Sequence, residues 1–284
     1  FTATFVMDNL DELRVAKLLA NLQKIPKAVH LAFEGVDESC MEAIAQSMPS
    51  HTHVLGLDLK RIGQFCRLNS LADYLARTTS LSILVLEFKP QTGLDLTPLV
   101  GALSSNTSIV CATFGHVSNN LSFQVLLEAI AFTNKGIRML TLHHTDLSDS
   151  STMRRISNIL TSNPKIRTLM IADCELSTPE AAKLFRRPFS KNVKIFGLVR
   201  SSPQFRLPVE FLNIARTSLR SLILDPNSIT PDMEARFLEA LQTNSKLTMV
   251  HSTNMVEHFS SVTDRNRHNL STRECILSQL FFLE

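Results

Sequence analysis

Three histidines and a carboxylate are the residues best suited to chemistry. His116, the pair His143 and His144, and Asp173 recur one repeat apart, 116 to 144 being 28 residues and 144 to 173 being 29. Imidazoles and a carboxylate brought together bind zinc or titrate jointly near about pH 6. No H-x-x-x-H or H-E-x-x-H spacing accompanies them, so no metal centre is expected and a polar contact surface for a partner is the alternative. A second candidate is electrostatic. The segment from Ala181 to Val209 carries Lys183, Arg186, Arg187, Lys191, Lys194, Arg200 and Arg206 without one Asp or Glu. Such a block attracts phosphate groups, and Lys183, Arg186, Arg187 and Arg200 are its anion-binding candidates. Phe185, Phe189, Phe196 and Phe205 are the aromatics that would have to stack on bases, and the repeat register assigns them mostly to the core. That disfavours nucleic acid, and a solvated convex face is the plainer reading of the block. Catalytic signals are missing: there is no G-x-S-x-G and no phosphate-binding loop, so neither an enzyme nor a cofactor is expected.

Composition narrows the class. With 284 residues, 44% of them hydrophobic and 19% charged, the chain can bury a large core and is too apolar to be disordered. Only 8 glycines are present, little material for loops that cradle phosphates. A net charge of +3 dictates no partner. Cys40, Cys66, Cys111, Cys174 and Cys275 include no C-x-x-C pair, which argues for reduced thiols and a cytoplasmic compartment. No apolar run reaches the roughly 18 residues of a membrane span. The start at Phe1 rather than Met suggests a trimmed or mature fragment.

The elements that would position these groups follow from a repeat. Asn163 to Phe185, NPKIRTLMIADCELSTPEAAKLF, reads as strand, turn and helix: Ile166, Leu169 and Ile171 point inward, Cys174 and Leu176 continue through the turn, and Ala181, Leu184 and Phe185 give the helix an apolar face. Ser177 and Glu180 have capping-box spacing, with Pro179 in the first turn. The strand signature recurs with middle anchors Thr4, Leu31, Leu57, Leu84, Ala112, Leu140, Leu169, Leu198, Leu222 and Val250. A period in this range predicts a solenoid. Asn106, Asn134, Asn163, Asn192 and Asn244 each stand three residues before the next strand's first apolar residue, where Asn can end a helix or bond the turn backbone. The copy from Ile195 is expected to be irregular, being short, rich in Pro and placing Arg200 where its neighbours have apolar residues.

The pattern N..I..L.I..C.L at Asn163 to Leu176, with IRMLTLHHTDL and LRSLILDPNSI, resembles the leucine-rich repeats of the ribonuclease-inhibitor type. The resemblance implies an α/β horseshoe with parallel strands on the concave side and helices on the convex side. Asn9, Cys174 and Asn227 keep the family's ninth-position Asn or Cys, whereas Val36, Ile62, Lys89, Val117, Thr145, Pro203 and Met255 replace it. The degenerate repeats and glycine-poor turns are also similar to repeats that intracellular bacterial pathogens inject into host cells as effectors, which implies action in a host cytosol.

The expected organisation is an N-terminal capping repeat over 1–27, repeats over 28–255 and a C-terminal helical cap over 256–284. Side chains alternate faces along a strand, so the concave surface is read from the residues between anchors. It comprises Ile83, Val85, Met139, Thr141, Thr168, Met170, Val199 and Ile223, with His143, His144 and Asp173 at its rim. A contiguous apolar surface with methionines suits an adaptable protein partner. The expected function is therefore protein recognition by a monomer. Two alternatives remain: a small-GTPase regulator, which would need an acidic tail that is missing here, and a phospholipid or nucleic-acid binder using residues 183–206.

Overall fold

The computed structural model describes residues 3–7, 12–22, 28–90, 93–199, 205–224, 229–241, 244 and 246–251. A single parallel sheet runs through them. Its strands are β1 (Ala3–Met7), β2 (Val29–Glu34), β3 (Val54–Ile62), β4 (Ile83–Phe88), β5 (Cys111–Gly115), β6 (Met139–His143), β7 (Thr168–Ala172), β8 (Ile195–Val199), β9 (Ser221–Leu224) and β10 (Met249–His251), hydrogen-bonded in chain order. Helices return the chain each time: α1 (Glu12–Leu22), α2 (Glu38–Ser47), α3 (Asn69–Arg77), α4 (Thr97–Ser105), α5 (Leu121–Phe132), α6 (Ser150–Ser162), α7 (Thr178–Phe185) and α8 (Pro231–Leu241). Between β8 and β9 a 3-10 helix, Val209–Arg216, takes the place of an α-helix behind Pro208. A parallel pair requires such a crossover, and an unbroken sequence of them stacks one repeat on the next.

The inward strand residues and the apolar helix faces meet in one continuous core. Leu31, Leu57, Leu84, Leu140, Leu169 and Leu222 are wholly buried on β2, β3, β4, β6, β7 and β9. Polar caps start the helices: Asp37, Asn120 and Asp149 each accept a backbone N–H in the first turn of α2, α5 and α6. Ser177 does the same for α7 through the Glu180 N–H at 3.4 Å, while the Glu180 carboxylate turns to Lys183. In α1, Val15, Leu19 and Leu22 are buried and Leu13 is exposed.

The asparagine column holds the helix-to-strand turns together. Asn106, Asn134, Asn163 and Asn244 are buried. Asn163 Oδ1 accepts the Lys165 and Ile166 N–H groups at 2.7 and 3.0 Å, and its Nδ2 donates to the Ile130 carbonyl of the preceding repeat at 2.6 Å. Asn106 and Asn134 repeat this bridge. A buried turn backbone must be satisfied, and one side chain serves two consecutive repeats.

Three expectations about register are corrected. Leu31 pairs with Phe5 rather than Thr4, so Phe5 is the anchor of β1. Leu169 pairs with Phe196, and Phe196 with Leu222, so the anchor of β8 is Phe196 and not Leu198. The intervals become 27 residues from 169 to 196 and 26 from 196 to 222, and the short copy disappears. Leu198 pairs with Ile171 and Leu224, which leaves the apolar column unbroken; Arg200 itself lies outside the described residues. The reason for the two-residue slip is aromatic packing. Phe196 meets Phe185 and Phe189 at ring-centroid distances of 5.8 and 5.2 Å, and Phe185 meets Phe211 at 5.3 Å. The slip also removes Asn192 from the asparagine column: Ser190 stands three residues before the inward Val193, and the Asn192 amide only reaches the Ser190 hydroxyl. The expected cap over 256–284 lies outside the described residues.

Candidate protein-binding surface

Away from the helices, the sheet presents rows that cross the strands. Ile83, Cys111, Met139, Thr168 and Ile195 form one row, and Val85, Thr113, Thr141, Met170, Gly197 and Ile223 form the next. Ile83, Val85, Met139, Thr141 and Met170 are half-buried, as are Cys111 and Thr113 between them. Thr168 and Ile223 lie on this face but are buried, at 6% and 4% exposure, so they add little contact area. Thr168 is a short side chain between Met139 and Ile195. Ile223 is shielded by Met170, whose thioether lies over the bare backbone of Gly197; a Cβ there would run into Met170 Sδ and Cε. Val199 is displaced by the register slip. It stands beside Ala172 in the row of Gly115 and His143, one row beyond its expected place.

That third row leads to the rim, where the strand ends bring the histidines together. His116, His144 and Asp173 follow aligned strand ends and adopt left-handed backbone conformations, with φ of 54°, 47° and 52°. His and Asp tolerate this region better than branched residues do. The turn lets each N–H continue the ladder: His116 donates to the His143 carbonyl, His144 to that of Ala172 and Asp173 to that of Val199. The His116 and His144 rings stack at 4.5 Å with 3° between planes, and His143 stands edge-on to both. His144 Nε2 approaches Asp173 Oδ2 at 4.0 Å.

Glu87 completes the group and was not foreseen. His143 reaches across Gly115 to place Nε2 3.5 Å from Glu87 Oε1, spanning from β6 past β5 to β4. Gly115 permits this, because a Cβ would meet the His143 ring. The His143 hydrogen bond holds the Glu87 carboxyl below its ordinary range, against the opposing effect of burial. Burial first, and then the neighbouring His144 and His143, push the His116 imidazole down. Among the described residues no three His, Cys, Asp or Glu side chains converge as ligands of a metal ion. The arrangement brings three imidazoles and two carboxylates together at the rim of the concave face. Cys111, half-buried between Ile83 and Met139, has its thiol pushed up by burial, which disfavours the thiolate.

Three of the four anion-binding candidates lie among the described residues. Lys183 is paired with Glu180 at 2.8 Å, Arg186 and Arg187 are exposed after the end of α7, and Arg200 is outside the described residues. A further cationic group, which shares Lys194 with the block from Ala181 to Val209, is present at the edge of the sheet opposite the histidine rim. Arg138, Arg167, Lys194 and Arg220 immediately precede the first concave row, and the backbone N–H of each of Arg167, Lys194 and Arg220 donates to the carbonyl of the one before. These residues lie in separate repeats, so no sequence window contains them all. The usable signal was the repeat register itself.

Ten strands in sequential parallel order, joined by helices or a 3-10 helix and bridged by inter-repeat asparagines before β5, β6 and β7, define a leucine-rich-repeat α/β solenoid. The chain is similar to the solved structure of an internalin (inlF) from Listeria monocytogenes str. 4b F2365, with 12% identity over 87% of this chain and 74% of that one and a TM-score of 0.42. No protein-family model matches the chain, and no curated protein sequence matches it. Among the described residues no helix is long and apolar enough to cross a membrane.

Proposed function

We propose that the chain is a recognition scaffold that holds another protein across the concave strands β4 to β7. The observation that carries this reading is the contiguity of half-exposed Ile83 and Val85 on β4, Cys111 and Thr113 on β5, Met139 and Thr141 on β6 and Met170 on β7, bordered by the His143, His144 and Asp173 rim. Apolar surface removed from water supplies about 25 cal/mol per Å², and methionine adapts its shape to a partner. With no Trp and a single, buried Tyr74, the hot spots would be Met and Ile anchors ringed by polar groups. The solenoid acts as a monomer on this reading. Its degenerate, glycine-poor repeats support the finer proposal of an effector that engages a host protein in the host cytosol.

The test is a pair of reversals in the middle of the surface. Met139→Glu with Met170→Glu leaves the far-ultraviolet circular dichroism unchanged and abolishes capture of the partner from host-cell lysate, identified by mass spectrometry. Undiminished capture by the folded variant rejects the concave-face reading. Recovery of only bacterial proteins rejects the host-effector reading while leaving the face intact.

A further inference from the structure

The cationic edge is built from residues that the helix-to-strand turns of successive repeats bring into file. Arg138, Arg167, Lys194 and Arg220 are consecutive along it, with Lys165 exposed in the turn of Arg167 and Lys246 exposed in the turn beyond Arg220. Parallel strands lie about 4.8 Å apart, so the four span roughly 14 Å, the length of four or five extended residues. None of the turns 134–138, 163–167, 190–194, 217–220 and 244–248 contains Asp or Glu, and none contains an aromatic residue. The charges act on one another: burial first, then Arg220, Lys246 and Arg167, push the Lys194 ammonium below its ordinary 10.5.

We infer that this edge docks an acidic polypeptide segment of the protein partner, its carboxylates running along Arg138, Arg167, Lys194 and Arg220. The inference rests on the proposed concave-face recognition. Each of these cations immediately precedes a residue of the first concave row, Arg138 beside Met139 and Lys194 beside Ile195, so one partner covers the apolar rows and the edge together. The absence of aromatic side chains from the turns removes the stacking platforms a single-stranded nucleic acid uses. None of the exposed large apolar side chains lies within those turns, so nothing there would enter a lipid surface. A file of cations beside an apolar face matches a polypeptide that carries both features. Charge complementarity of this kind mainly speeds association and selects partners.

A fluorescein-labelled twelve-residue poly-glutamate peptide is the probe, read by fluorescence anisotropy at low salt and then at rising salt. Binding is expected, falling as salt screens the charges. Arg138→Glu with Arg167→Glu weakens it by roughly tenfold or more, while Arg186→Glu with Arg187→Glu, the same change of net charge after α7, leaves it nearly unchanged. The milder Arg138→Gln with Arg167→Gln keeps the test valid if circular dichroism shows that the reversal disturbs the fold. Met139→Gln with Met170→Gln leaves peptide binding intact, so failure of the concave-face reading and failure of this one are separately visible. Equal weakening by the Arg186 and Arg187 pair overturns the inference. So does tighter binding of poly(U) RNA or of phosphatidylserine vesicles than of the peptide.

Discussion

The two edges of the sheet are built from the same repeat and behave as opposites. At the helix-to-strand edge, the polar work is internal: buried asparagines close the turns before β5, β6 and β7 onto the preceding repeat, and the turns from β6 to β9 carry cations and no acid. At the strand-to-helix edge, the turns pass through left-handed residues, and His116, His143 and His144 mix with Glu87 and Asp173. One edge has fixed charge on a stapled backbone. The other has charge that protons can change. The difference teaches that a solenoid separates stability from recognition by row, because each row repeats one environment.

The largest expected effect tests the staple. Asn163→Ala removes an acceptor for two turn N–H groups and the donor to the Ile130 carbonyl, all in a buried setting. Leaving such groups without partners costs about 2–4 kcal/mol, read as a lower urea midpoint. His144→Ala on the opposite edge, where the side chain is 47% exposed, costs less than about 1 kcal/mol. Equal losses would erase the distinction between the edges.

Next in size is the crossing at Gly115. Gly115→Ala forces the His143 ring aside and breaks its approach to Glu87. The new methyl also reduces unfolded-chain entropy by about 0.4–1 kcal/mol, so the net change in stability stays within about 1 kcal/mol. The decisive readout is the Glu87 carboxyl, whose titration by carbon NMR moves up toward the ordinary value once its hydrogen bond is lost. An unmoved titration would mean that His143 is not what holds it down.

A third effect separates the edges by pH. His116 has a depressed pKa in the folded chain, so below the ordinary 6.5 the unfolded chain takes up the proton first. Its contribution is complete above about pH 6.5 and is lost as pH falls through the folded value. His51, buried beside His53 at the other edge, is pushed down by burial and then by His53, and it contributes with the same sign. His116→Asn therefore flattens the fall in stability below pH 6.5 only in part, and His116→Asn with His51→Asn flattens it further. A profile unchanged by His116→Asn would show that the rim is not where protons act.

Much of this was legible because side-chain alternation and the 26-to-29-residue period specify inward residues unambiguously where Leu fills the anchor. At β8 they did not. Ile195 and Leu198 offer one apolar register and Val193, Phe196 and Leu198 another, and a two-residue shift preserves which side faces the core. Only the contacts of Phe196 with Phe185 and Phe189 decide it. The histidine rim was visible as an aligned column, whereas Glu87 was not, since its contact crosses two strands over a glycine. Likewise the cationic edge draws its residues from separate repeats, so no sequence window contains them all.

The smallest effect bears on whether the cationic edge is a cost to folding. Lys194 donates to the Lys191 carbonyl at 2.7 Å, yet burial and its cationic neighbours disfavour its charge. A lysine with a lowered folded pKa is penalised at all pH values below that pKa, and the penalty is relieved as pH rises through it toward 10.5. At neutral pH Lys194→Gln keeps a donor and deletes the charge. It therefore stabilises the chain, by less than about 0.5 kcal/mol because the group is partly solvated. Added salt shrinks the gain, since it screens the repulsion from Arg220, Lys246 and Arg167 but leaves the burial. Stabilisation paired with weaker poly-glutamate binding would mean that the edge keeps Lys194 for recognition at the expense of the fold. Destabilisation would mean that the Lys191 contact outweighs the repulsion, making Lys194 part of the staple.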